Sequence, residues 1–419
     1  MKASSVLSLL LCVSGLGSAV RAQVTADPSL GSRVNGALGG SCNSGICRIG
    51  GGQDAGTNRF HRLRQFDTRG AIQSVEIQSD GIRNLVLGVT AAEGSFIDKA
   101  VALSSPAHLF LLSPGGIQLM PGAGFLQVPQ LTLSTATQLH FPGGVFDVLR
   151  SPASALTALH GDPLPGQLGL RGVLDEDRRP WIRMEGISID VEESLLVDAP
   201  GGRIDVESSR LSASATHGDG GTLTLTADLV RVGAGSQVLA TGSDDGGLVQ
   251  VGGSWQNSDP TVRQAVQTWM QPGSLVDVSS TGQGDGDTVV VWSDLNNSSG
   301  GTVAEGTLLA RGGPLGGNGG RVETSGAFLL AKPERLDVGA VGGVVGEWLL
   351  DPYNITISTT TGNTFDVIDP VDPNGRLFES TSSPSLIDVD DINTALGASG
   401  SSANVRIATG PGNTSEGGN

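Results

Sequence analysis

One phrase recurs along the second half of the chain, a glycine pair followed at once by alternating apolar and polar residues. It reads Gly201-Gly202-Arg203-Ile204-Asp205-Val206, then Gly220-Gly221-Thr222-Leu223-Thr224-Leu225, Gly246-Gly247-Leu248-Val249-Gln250-Val251 and Gly319-Gly320-Arg321-Val322-Glu323-Thr324. The first three copies stand 19 and 26 residues apart, from Gly202 to Gly221 and from Gly221 to Gly247. A repeat of about 20 residues is too short to enclose a core of its own, so it buries its apolar face against the next copy, as solenoids do. Alternation at period two puts those inward residues on strands. Glycine supplies the corners, because it takes positive φ without strain. The expected fold class is all-β, a right-handed parallel β-helix with an N-terminal cap.

Composition agrees with short strands and tight corners. Glycine accounts for 64 of 419 residues, about twice the usual ~7%, with 38% hydrophobic, 16% charged and 4% aromatic. Low charge excludes a disordered acidic tail, and no glycine recurs at every third position as collagen requires. At the mean interval of the first copies the chain has room for at most about 18 coils, a rod of about 85 Å at ~4.8 Å per coil. Irregular stretches at Ser151–Pro180 and Trp255–Pro272 interrupt the pattern, and Thr261–Met270 is predicted to form a short helix. The organisation expected is a unit at 23–150, an irregular connection at 151–180, a repeat section at 181–357, and at 358–419 the start of a further section or a truncated tail. The segment Gln23 to about Arg48 is the candidate cap, whereas Gly410–Asn419 is polar and offers no capping element.

Residues 1–22 read as a secretory leader: Lys2, an apolar stretch from Val6 to Gly17, then small residues before cleavage between Ala22 and Gln23. The apolar stretch is too short for a membrane-spanning helix, which needs ~20 residues. The formal charge of −17 becomes more negative when Lys2 and Arg21 leave, which disfavours nucleic acid as a partner. Cys42 and Cys47 are then the remaining cysteines, and in an exported chain such a pair is expected to form a disulfide. Half a metal site is the alternative, and it lacks a second pair of ligands nearby.

Several ordered blocks carry a family resemblance. Gly51-Gly52-Gln53-Asp54-Ala55-Gly56-Thr57-Asn58-Arg59-Phe60-His61-Arg62-Leu63 is followed by Asn84-Leu85-Val86-Leu87-Gly88-Val89-Thr90 and by Ala107-His108-Leu109-Phe110-Leu111-Leu112-Ser113-Pro114-Gly115-Gly116-Ile117. This order resembles the filamentous-haemagglutinin-type secretion domain of two-partner secretion exoproteins, in the cyanobacterial style. The family's third block ordinarily reads Asn-Pro-Asn-Gly-Ile; here Ser113 and Gly115 replace the asparagines, while Pro114, Gly116 and Ile117 match. Downstream, Val289–Asp294, Ala310–Gly313, Gly319–Gly326 and Trp348–Ile357 look like the segment that closes the first rod section in such exoproteins, and Ile392–Leu396 ahead of Asn404-Val405 looks like the start of the next. The resemblance implies export across the inner membrane by the leader, then recognition of the N-terminal domain by an outer-membrane transporter barrel with periplasmic domains. Asn58, Phe60, His61, Ser113, Pro114, Gly115, Gly116 and Ile117 are the motif residues it singles out. Packing in the core and cap is the competing role for Phe60, His61, Phe110 and Leu112. The implied product is a secreted or surface-exposed adhesin whose receptor lies on a host cell, a surface or a polysaccharide.

A β-helix enzyme that modifies polysaccharides is the alternative, and it needs acids gathered on one face. Asp244-Asp245, Asp285-Gly286-Asp287 and Asp388-Val389-Asp390-Asp391 all lie at turns or beside glycine, where solvated corners are expected. Gly282–Val289 faintly resembles a calcium-binding glycine and aspartate repeat, but such loops work in tandem. His61, His108, His140, His160 and His217 show no metal-ligand spacing. The sequence calls for no catalytic residue, no metal and no cofactor.

Overall fold

The computed structural model describes residues 23–164, 166, 168–169, 179–359, 365–368, 376–380, 385–398 and 403–409. The leader at 1–22, with Ala22, and the tail at 410–419 lie outside the described residues.

Each coil folds into three short strands, so three columns of strands run along the molecule. The first column stacks Asn84–Val89, His108–Leu112, Gln130–Ser134, the start of Ser194–Glu207, the start of Thr222–Val232, Leu248–Val251, Thr288–Trp292, Arg321–Gly326, Glu347–Pro352 and Asn404–Ile407, every neighbouring pair parallel. The second stacks Ser95–Ile97, Ile117–Leu119, Trp181–Glu185, the ends of the two long strands, Gln267–Met270, Gly301–Ala304 and Phe328–Ala331. In the third, Ser44–Gly51, Ala71–Ile77, Ala100–Leu103 and Gly124–Leu126 precede a series from Ser188–Asp190 to Arg335–Asp337. The molecule is a parallel β-helix.

Its core is a set of ladders. Leu85, Leu109, Leu131, Leu195, Leu223, Val249, Val289, Val322 and Trp348 occupy one row of the first column, and all are buried in the main core. Burying each such side chain contributes roughly 1.5–3 kcal/mol before entropy is counted. The Trp348 rung introduces a polar group, and Trp348 Nε1 donates to the buried Thr324 Oγ1 at 3.1 Å.

The corners explain the glycine pairs. A Cβ on Gly247 would overlap the carbonyl oxygen of Gly221 in the preceding coil, so that corner stacks only if the side chain is hydrogen.

Coil length varies more than the repeated phrase suggests. Successive third-column strands lie 22 residues apart from Ile189 to Leu211 and 38 apart from Val238 to Val276. The strand columns hold far fewer rungs than the expected upper bound of about 18. Among the described residues the first column holds eleven rungs, counting Asn58–Phe66 parallel to Asn84–Val89, which at ~4.8 Å give a rod of about 50 Å, because residues are spent on excursions outside the coils. The helix expected at Thr261–Met270 is also corrected: Gln267–Met270 is a strand, parallel to the end of Thr222–Val232 and to Gly301–Ala304. Its neighbours on both sides offer unpaired backbone, and pairing with them outweighs the local helix pattern.

The N-terminal end of the rod is covered. At the N-terminal end Val24–Ala26 runs antiparallel to Ser41–Cys42 and Asn58–Phe66, and Ser32–Val34 runs antiparallel to Ala37–Leu38 and Ser44–Gly51. Asn35 and Gly36 make the hairpin turn with φ of 50° and 83°, the pair of left-handed residues that such a turn favours. A disulfide joins Cys42 to Cys47 within this cap. At the far end, helical turns at Val389–Asn393 and Thr394–Ala398 bring Ile392 and Ala395 against the main core. The last strand of the first column, Asn404–Ile407, is largely exposed.

Excursions lie on the outer faces. The hairpin Gln138–Phe141 and Gly144–Asp147, with the helical turn Ala153–Leu156, contributes Leu139, Phe141, Phe146, Leu156 and Leu159 to one cluster with Phe60, Val86, Phe110 and Leu112. Further along, Phe365, Leu377 and Phe378 cluster with Trp269, Val303 and Phe328. There Gln267 acts as a substitute strand: its amide donates to the Phe378 carbonyl at 2.9 Å and accepts from the Leu377 N–H at 2.8 Å.

Candidate functional site

The strand Asn58–Phe66 carries three of the motif residues, and alternation sends them to opposite sides. Phe60 enters the outer cluster, where its ring centroid lies 5.5 Å from Phe141 and 5.3 Å from Phe146. Asn58, fully buried, donates to the carbonyls of Leu159 at 2.7 Å and Gly161 at 2.8 Å and accepts from Asn84 Nδ2 at 2.8 Å. It thereby ties the first coils to a segment a hundred residues away, so the described part of 151–169 packs back on the N-terminal unit. His61 points the other way, with Nδ1 3.3 Å from Ser32 Oγ and Nε2 without a partner. Burial, reinforced by the nearby Arg59 charge, pushes its pKa down to about 4, so the ring is neutral at physiological pH.

The second motif makes a corner. The Gly116 N–H donates to the Ser113 carbonyl at 2.9 Å and closes a turn, and the Ser113 hydroxyl donates across it to the Gly116 carbonyl at 2.8 Å. Ser95 Oγ donates to Ser113 Oγ at 2.9 Å from the preceding coil. A serine thus fixes this turn with its own hydroxyl, the job a turn asparagine side chain does elsewhere. A Cβ on Gly115 would lie 2.5 Å from the carbonyl oxygens of Ala91 and Ala92, so glycine is the residue this stacked corner admits. Ile117 begins the next strand and is buried in the main core.

The structure joins the two motifs through the cluster of Phe60, Phe110 and Leu112, the last of which precedes Ser113. It does not gather them into an open site: Asn58, Phe60, His61, Ser113 and Ile117 are all buried. In the folded chain their part is to build the first coils.

Sequence reading missed Arg62. Its guanidinium donates to the carbonyls of Val148 at 2.7 Å, Asp147 at 3.2 Å and Ser151 at 2.8 Å, and to Ser29 Oγ at 2.9 Å. One side chain therefore holds the cap, the first coils and the outer hairpin together. Its sequence signal is a cation at an alternation position shared with Asn58 and Phe60, beneath a surface that is otherwise apolar.

The candidate acids form an exposed corner ladder. Asp219 Oδ1 accepts from the Asp245 N–H at 3.2 Å, Asp245 Oδ1 from the Asp285 N–H at 2.8 Å, Asp285 Oδ1 from the Asn318 N–H at 2.7 Å, and Asn318 Oδ1 from the Val344 N–H at 2.9 Å. These bonds from Asn318 hold the Asp285 carboxyl below its usual range, whereas burial raises Asp287. Asp388 accepts from the Asp390 N–H at 2.9 Å and caps the terminal helical turns. Among the described residues no group of three or more His, Cys, Asp or Glu side chains is arranged to hold a metal ion.

Two other acids are perturbed for a different reason. Glu323 accepts from the Gln256 N–H at 2.8 Å and from the Ser325 hydroxyl at 2.9 Å. Burial pushes its carboxyl up to about 7 and that of Asp351, in the next coil, up to about 6. Elsewhere the buried Arg203 pairs with Asp205 at 2.7 Å, which also accepts from Arg231 at 2.6 Å and Trp181 Nε1 at 2.6 Å.

No family model matches the chain, and no curated protein matches it. Among solved structures, the chain is similar to the crystal structure of the HMW1 secretion domain from Haemophilus influenzae, with a TM-score of 0.34 and 17% sequence identity over 79% of this chain and 100% of that one.

Proposed function

We propose that this chain is a secreted, adhesive exoprotein whose N-terminal unit directs export through an outer-membrane barrel with periplasmic domains. The observation that carries the reading is the build of residues 23–169: an antiparallel cap leads directly into parallel coils, and the Asn58 and Ser113 blocks that resemble secretion domains lie inside those first coils. Such an arrangement suits a chain that crosses a barrel unfolded and folds outside. The early coils form a template, and each later coil adds by contact with the one before it. The leader at 1–22 supplies passage to the periplasm, and the rod presents its outer surface to a cell, a solid surface or a polysaccharide. The reading assigns no catalytic role, since Asp245 and Asp285 serve as turn acceptors and Asp388 as a helix cap.

Disrupting the gene for the partner barrel in the source organism tests this. The chain should then accumulate in the periplasm, cleaved between Ala22 and Gln23, and disappear from the medium and cell surface. Undiminished appearance outside the cell would overturn the reading.

A further inference from the structure

A cavity of about 460 Å3 opens where the third strand column turns toward the first, lined by the ends of successive coils. Asp277 and Asp337 share one row of that column, with Leu309 paired to each and standing between them. Two rungs place their backbones about 10 Å apart, close to the length of two linked pyranose rings. From the middle rung comes Arg311. Its N–H donates to Ser279 Oγ at 3.0 Å and its Nε lies 3.5 Å from the same oxygen, and no ion pair among the described residues engages its guanidinium. Ser280 also lines the cavity, and its hydroxyl is buried without a hydrogen-bond partner, an unmet demand in a native fold.

These groups match a sugar. Carboxylates accept from hydroxyls, a guanidinium donates to ring and hydroxyl oxygens, and the Pro314 and Val341 side chains in the same lining offer apolar surface to a C–H face. Charge selects the kind of sugar. Asp337 accepts from Arg335 at 2.6 Å and from the Gly339 N–H at 3.0 Å, and Asp277 from the Ser279 N–H at 2.9 Å, so the lining sets the one guanidinium of Arg311 among two carboxylates, in a chain of formal charge −17. An acidic sugar gains nothing from that balance and is repelled at long range.

We propose that this corner binds a neutral saccharide, spanning Asp277 to Asp337 across Arg311. The proposal rests on the adhesive reading of the rod and names the ligand class for it.

Calorimetric titration of the purified full chain with lactose, cellobiose and N,N′-diacetylchitobiose, beside galacturonic acid, tests it. At least one neutral disaccharide should bind with a Kd on the order of millimolar. Arg311→Ala and Asp277→Asn should each weaken that binding about tenfold or more at an unchanged melting temperature. Should either variant melt early, Val341→Glu, at a side chain 60% exposed, is expected to block the cavity without touching the fold. Absence of neutral-sugar binding by the folded wild type, binding of galacturonic acid alone, or neutral-sugar binding that survives the folded variants would overturn the proposal. The titration uses purified protein, so failure here leaves the export reading standing, and failure of export leaves the titration unaffected.

Discussion

Asp245 accepts a hydrogen bond on Oδ1 from the backbone N–H of Asp285 at 2.8 Å, one coil further along the rod. The same relation repeats from Asp219 to Asp245 and from Asp285 to Asn318. A side chain at each corner thus performs the work of a backbone carbonyl in joining one coil to the next. Asp245→Ala should lower stability by about 0.5–1 kcal/mol, the net worth of a solvent-exposed hydrogen bond, whereas Asp245→Asn should keep most of it. Denaturant melts of the two variants check this, with Asn expected close to wild type.

Gly247 sits where any side chain meets the Gly221 carbonyl. Gly247→Ala should destabilise by roughly 2–4 kcal/mol, as buried backbone strain does, and Gly36→Ala, with nothing within 4 Å of its Cβ position but a φ of +83°, by about 1 kcal/mol. Thermal unfolding of both variants separates close approach from conformational strain.

Acidification should stabilise the distal coils. Glu323 and Asp351 titrate at about 7 and about 6 when folded, above ordinary unfolded values near ~4.3 and ~3.9. The folded chain therefore binds more protons than the unfolded one between about pH 4 and pH 7, so their contribution favours folding at low pH and is lost as pH rises through the folded values. Glu323→Gln should remove about half of this dependence and raise stability at pH 8 by on the order of 2 kcal/mol. Melting temperatures of wild type and variant from pH 4.5 to 8 check the sign.

Arg62→Met should loosen the outer hairpin without dissolving the rod. Loss of the donations to Val148, Asp147, Ser151 and Ser29 leaves the Val148 and Ser151 carbonyls without this donor, at about 1–3 kcal/mol for each that stays dry, while the Asp147 carbonyl keeps the Ser151 N–H at 3.0 Å. Limited proteolysis should cut faster within residues 138–164, with the coils from 181 onward unaffected.

These residues also mark what a sequence can disclose. The glycine pairs are legible because the close approach they serve recurs from coil to coil, at Gly221, Gly247 and Gly320, so the requirement is written repeatedly. The inward ladder of Leu85, Leu109 and Leu131 is legible for the same reason. Thr261–Met270 is misread because Val262, Val266 and Met270 have helical spacing, while the information that makes Gln267–Met270 a strand resides in Leu229–Val232 and Gly301–Ala304. The carbonyl partners of Asn58 and Arg62 lie 85 to 103 residues away, beyond any local pattern. Coil count fails because excursions lengthen some coils and leave others short. The motif residues are legible as a set, but not their burial: the sequence marks Asn58 and Ser113 without saying that they look inward.

The central claim is that residues 23–150 carry the export instruction and the coils beyond do not. Immunoblots of medium, surface, periplasmic and cytosolic fractions, for the full chain, for a deletion of 23–150 and for a deletion of 181–357, test it most directly. The account predicts that the first deletion strands the chain in the periplasm and that the second still leaves the cell. Export of the chain lacking 23–150 would contradict it.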